Sequence, residues 1–121
     1  MRNHSIELNG KEIEFRLTSE DMVKIEEKNH VKILDYIRDY SFTTMINLLW
    51  YMRKGVDKNF SKEDTFALYD ELADNDMAME DIMKEIIYPT CQVSGLLTKG
   101  DLMKIQDLIE NPQEIPQATQ E

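Results

Sequence analysis

A chain of 121 residues, 41% hydrophobic and 31% charged, fits one domain with one core and is too apolar for intrinsic disorder. Its net charge of −10, from 24 acidic against 14 basic residues, repels phosphate backbones and anionic lipid, which sets nucleic acid and membrane surfaces aside as partners. Cys91 is the single cysteine, so no intramolecular disulfide can form, as suits a reducing, cytoplasmic setting.

The opening residues do not read as a signal peptide, and the longest strongly apolar stretch, around Met45 to Met52, is far short of a membrane span. With only 4 Gly and 3 Pro and a wealth of Leu, Met, Glu and Lys, the composition favours long helices.

The first seventeen positions alternate. Ile6 and Leu8 alternate with Ser5 and Glu7, Asn9-Gly10 follows, and Ile13, Phe15 and Leu17 alternate with Glu12, Glu14 and Arg16. Asn-Gly between alternating runs signals a hairpin, because a type I′ turn needs positive φ at both central residues. A two-residue loop pairs Leu8 with Lys11, Ile6 with Ile13 and His4 with Phe15, which puts the apolar side chains on one face. A lone ribbon is marginal in water, so it must lie on helices or pair with another chain.

Beyond Leu17 the period becomes helical. Thr18 or Ser19 opens a helix with Met22, Ile25 and Val23 directed inward, and Asn29-His30 marks a break. Ile33, Leu34, Ile37 and Tyr40 then share a face. Ser41 caps a segment from Phe42 to Lys54 that is apolar nearly all round, which marks a central helix with Trp50 in the core. Gly55 fits a left-handed stop after it.

Ser61-x-x-Asp64 reads as a capping box before a helix with Phe66, Leu68, Tyr69 and Leu72 available for burial. Asn75 or Asp76 caps the next, which carries Met79, Ile82, Met83, Ile86 and Ile87 and is expected to end before Pro89. Thr98-x-x-Asp101 opens a last helix through Leu102, Ile105, Leu108 and Ile109, stopped by Asn111-Pro112. The expected fold is mainly α (α+β). A hairpin over 4–17 precedes a compact bundle of five to six helices over 19–110 within a single domain 1–111, and 112–121 forms a disordered tail.

Catalytic and metal-binding patterns fail one by one. Neither His4 nor His30 has a companion at ligand spacing, and Cys91 has no nearby histidine and suits a buried, inert thiol. Asp74-Asn75-Asp76 with Glu85 imitates a calcium loop but has Ala78 fifth and Met79 where the turn glycine belongs. Asp57-x-Asn59-x-Ser61 fails likewise, with Lys62 sixth and Leu68 twelfth. No phosphate-binding glycine loop occurs. The expectation is a non-enzymatic protein without metal or cofactor.

What remains is a binding surface. Eight methionines suit either core filling or an adaptable surface for apolar partner helices. Met77, Met79 and Met83, clustered at one helix start, and the aromatics Tyr36, Tyr40 and Tyr51 are the candidate partner-binding residues.

Three stretches then resemble one family. They are the run Ile-Glu-Leu-Asn-Gly-Lys-Glu-Ile-Glu-Phe-Arg-Leu-Thr at 6–18, Leu-Leu-Trp-Tyr at 48–51, and Phe60-Ser61-Lys62-Glu63-Asp64 followed by Leu68 through Leu72. Over roughly residues 4–90 the chain resembles the small tail assembly chaperones of long-tailed phages and prophages of Gram-positive bacteria. The resemblance implies a protein absent from the mature virion. It implies binding to the tape measure protein, which is kept soluble while tail tube protein polymerises around it, and it implies possible self-association and a longer frameshifted form.

A different class stays open: a small acidic regulatory or inhibitor protein that imitates nucleic acid. Such a protein needs carboxylates along one exposed face and binding that collapses with salt. A chaperone's binding depends instead on Met and aromatic residues and tolerates salt.

Overall fold

The structure is a computed structural model that describes residues 3–110. The expected tail at 112–121, and the stop at Asn111-Pro112, lie outside the described residues. Two strands come first, β1 (His4–Leu8) and β2 (Lys11–Phe15), paired antiparallel with His4 opposite Phe15, Ile6 opposite Ile13 and Leu8 opposite Lys11. Asn9 (φ 54°) and Gly10 (φ 79°) make the turn, so both central residues are left-handed as a type I′ turn demands.

A Cβ on Gly10 would meet nothing within 4 Å, so a substitution there costs backbone strain alone. Gly10→Val should destabilise by about 2 kcal/mol. Urea unfolding checks this, and an unchanged midpoint would contradict the turn.

Leu8 and Phe15 are buried, and the ribbon lies on the helices, β2 against the third and β1 against the fifth. The first helix, α1 (Ser19–Asn29), is capped by Thr18, whose Oγ1 accepts the Asp21 N–H at 3.1 Å; His30 ends it at φ 53°. Ile25 is buried and Met22 half-buried, but Val23, expected inside, is exposed. Val23 points away from the face shared by Asp21, Met22 and Ile25, and Asp21 keeps its inward place by pairing with Lys54 at 3.4 Å.

The second helix, α2 (Ile33–Arg38), has no capping side chain at Lys32; the Glu26 carboxylate accepts the Ile33 N–H at 2.8 Å instead. It ends too early for the expected apolar row. Ile37 and Tyr36 face inward, whereas Leu34 and Tyr40 are exposed, because the extended backbone at Asp39 breaks the helical period before Tyr40.

At the centre lies α3 (Phe42–Lys54), capped by Ser41, with Met45, Leu48, Leu49 and Met52 fully buried. Tyr51 takes the core position expected for Trp50, which is half-buried and donates its indole N–H to the Phe60 carbonyl at 3.1 Å.

Gly55 follows α3 but is right-handed (φ −64°), so conformational freedom is not its purpose. A Cβ there would overlap the Arg16 carbonyl oxygen and stand 3.1 Å from its carbon. The chain leaving β2 is held at this point. The Arg16 N–H donates to Met52 O at 2.8 Å, and the Arg53 guanidinium donates to Glu14 O at 2.7 Å.

The fourth helix, α4 (Lys62–Asp74), has the expected capping box, Ser61 and Asp64 each satisfying the other's backbone N–H. Leu68 and Leu72 face inward. Phe66 does not, since Thr65, Leu68 and Leu72 already occupy the inward face. Asn75 and Asp76 close this helix rather than cap the next: their N–H groups return to Leu72 O and Ala73 O. Asp81 caps the next one, accepting the Ala78 N–H at 2.9 Å.

That next helix does not stop before Pro89. Helical turns Met79–Ile82, a π-helical stretch Met83–Ile87 and turns Tyr88–Val93 run on as one helix, α5 (residues 79–93). Proline has no N–H for the Glu85 carbonyl four residues back and crowds it in α geometry. Here the wider π turn, with Tyr88 N–H reaching Met83 O, gives the ring room. The His4 ring, carrying its hydrogen on Nε2, donates to the Glu85 carbonyl at 2.7 Å.

The last helix, α6 (Lys99–Glu110), starts with the expected Thr98–Asp101 box, and the N–H of Thr98 holds the Asp101 carboxyl below its usual range. It packs against the C-terminal turns of α5. The fold is thus mainly α, six helices following one hairpin among the described residues.

Candidate partner-binding surface

Placing the six candidate residues divides them. Tyr36, Tyr51 and Met83 are buried in the core, Met77 and Met79 are half-buried at its edge, and Tyr40 is 47% exposed. The buried three pack among the helices, and Tyr36 and Tyr51 also line a small pocket beside Trp50. Tyr51 shows its surroundings chemically: burial, then the charge of Asp21, pushes its phenol above the ordinary value.

Near Tyr40 in sequence, at Phe42, begins a surface that sequence periodicity missed. Phe42, the first residue of α3, is 47% exposed, and Phe66 on α4 is 52% exposed. Phe42 meets the half-buried ring of Tyr69 edge-on, centroids 4.9 Å apart at 90°. Phe66, Tyr69 and Ala73 stand three and four positions apart, hence on one face of α4, and Phe42 extends that stripe sideways, while Tyr40, two residues before Phe42, is exposed beside Glu80 and Asp81 of α5.

The stripe has an acidic border. Glu63, Asp70 and Asp74 run along the adjacent face of α4, all exposed. Tyr40 lies close enough to Glu80 and Asp81 for their charges to raise its phenol pKa, after the larger effect of burial.

The missed signal lay in α4 itself. Phe66, Leu68, Tyr69 and Leu72 span too wide an arc to be buried together, so one large apolar side chain had to face water.

A second feature surrounds Trp50. The Lys54 and Lys62 ammonium groups lie 4.8 and 5.2 Å from its ring centroid. The adjoining pocket holds about 20 Å³, room for one water rather than a cofactor. Elsewhere, Cys91 is fully buried and its thiol is pushed up to about 12 by that burial, so it stays protonated at neutral pH.

Among the described residues, no three His, Cys, Asp or Glu side chains converge to hold a metal ion, and no helix is long and apolar enough to cross a membrane. Comparison with family models, curated proteins and solved structures finds no match to this chain.

Proposed function

We propose that this protein is a phage tail assembly chaperone, a non-enzymatic cytoplasmic protein that binds the tape measure protein and keeps it soluble while tail tube protein polymerises around it. The observation that carries the proposal is the stripe of exposed Phe42 and Phe66 with half-buried Tyr69, and exposed Tyr40 close by in sequence, on a chain of net charge −10. A client of long apolar helices needs an apolar surface to rest on and a strongly charged exterior to hold the complex in solution. The resemblance at 6–18, 48–51 and 60–72 supports the same reading.

An acidic inhibitor that imitates nucleic acid fits less well. The exposed carboxylates of α4 border aromatic rings rather than forming an uninterrupted charged face.

Co-expression with a tape measure fragment tests the proposal. The fragment, insoluble alone, should move into the soluble fraction and co-purify with this chain, and no gain in its solubility would count against the reading.

A further inference from the structure

We infer that the occupant of the aromatic stripe is an amphipathic helix whose apolar face is flanked by Lys or Arg. The inference rests on the chaperone reading only for the identity of the client; the chemistry of the occupant comes from the surface.

The stripe is built from side chains of α3 and α4, helices that, beyond their first turns, use their backbone N–H and C=O groups internally and offer no free strand edge. An extended segment laid there would bury its own backbone groups without partners, at considerable cost. A helix satisfies its backbone internally and brings only side chains to the contact. Phe66, Tyr69 and Ala73 cover about 10 Å of α4, roughly two turns of a docked helix.

Charge selects the flanks. Glu63, Asp70 and Asp74 edge the stripe along α4 and make no ion pair among the described residues. Glu80 and Asp81 lie beside Tyr40, two residues before Phe42 in sequence, and there Glu80 is partly compensated by Lys84 at 3.6 Å. Lys62 stands at the start of the stripe but donates to Asn47 Oδ1 at 2.8 Å and leans on Trp50. The border is therefore net acidic. An occupant with acidic flanks is repelled, and one with basic flanks gains several exposed pairs.

The test uses the whole chain and two synthetic helical peptides of about 18 residues with the same leucine stripe, one flanked by lysine and one by glutamate. By calorimetry, the lysine peptide should bind at least roughly tenfold more tightly than the glutamate peptide. Raising salt from about 50 to 500 mM should weaken it only several-fold, since apolar contact carries the rest.

The double variant F42S/F66S should lose roughly tenfold in affinity while still unfolding cooperatively in urea at a modestly lower midpoint, because both rings are about half exposed and Phe42 gives up its contact with Tyr69. The triple variant E63K/D70K/D74K should reverse the charge preference. Equal binding of the two peptides, binding by neither, or unchanged binding by F42S/F66S would overturn the inference.

The outcomes separate it from the functional proposal. If the peptides sort by charge but a tape measure fragment stays insoluble, the docking surface stands and the chaperone reading falls. If F42S/F66S solubilises the fragment as well as the parent chain does, the chaperone reading stands and the surface falls.

Discussion

Gly55→Ala should destabilise this protein by about 3 kcal/mol, more than an ordinary glycine-to-alanine change. At this chain length that loss corresponds to a fall in Tm of roughly 10 °C. The added methyl would enter the Arg16 carbonyl oxygen, and neither side of the contact is soft. Gly55 N–H is tied to Tyr51 O at 2.9 Å, Arg16 N–H to Met52 O at 2.8 Å, and the neighbouring Arg53 holds Glu14 O. Relief therefore requires the β2 exit to lift from α3, which loosens the hairpin as a whole.

Gly100→Ala is the control. It lies in α6 with its nearest would-be neighbour, Thr98 Oγ1, at 3.8 Å, and there the better helix propensity of alanine should stabilise by up to about 1 kcal/mol. Thermal melts of the two variants decide the point. A Gly55→Ala chain that melts with the parent would show that the β2–α3 junction yields to the added methyl.

Alkaline pH should unfold the protein through two groups of α5. Tyr88 and Cys91, three residues apart and both fully buried, have their pKa values raised from 10.0 and 9.0 to about 12 each. Burial is the main cause for both, and for Tyr88 the nearby Cys91 adds to it. In the unfolded chain these groups release their protons at ordinary values, while in the folded chain they hold them longer. Between pH 9 and 12 the unfolded state thus binds fewer protons, and stability falls as pH rises.

At about 1.4 kcal/mol per pH unit per group, the pair removes roughly 4 kcal/mol by pH 11. That is a large share of the stability of a domain this size. Tyr51, also raised by burial, adds to the loss in the same direction. Urea midpoints measured from pH 8 to 11 should fall steadily from pH 9, and Cys91→Ala should delay the onset toward pH 10. A flat profile to pH 11 would mean that the thiol and phenol ionise without opening the core.

The candidate surface is only partly legible in the amino-acid sequence. Residue type singles out Tyr40, and spacing gives the α4 helix but assigns its Phe66 and Tyr69 to burial. They place Phe42 and Phe66 in the correct segments but on no surface, because periodicity counts apolar residues without saying which of two competing arcs is covered. The same ambiguity puts Val23 and Leu34 inside, contrary to the fold, and does not foresee that Tyr36, Tyr51 and Met83 are buried. A helix with apolar residues on more than half its circumference has several inward faces open to it, and only its neighbours choose among them.

Features whose cause spans a few residues are readable from the chain alone. The Asn9-Gly10 turn sets the strand register, and Thr18, Ser41, Ser61 and Thr98 each cap a helix by bonding the N–H three residues on. Each depends on dihedral preference or on a side chain reaching its own backbone, so distant residues have little influence.

Features that need the assembled fold have partners far away in sequence. Gly55 is glycine because Arg16, 39 positions earlier, passes against it, and α5 runs through Pro89 with a donor from His4, 81 positions from the carbonyl it serves. Proline and glycine carry reliable local meanings, a missing N–H and a permitted left-handed turn. Tertiary contact supplies another donor in the first case and demands an absent side chain in the second, and neither requirement leaves a mark within a few residues of where it acts.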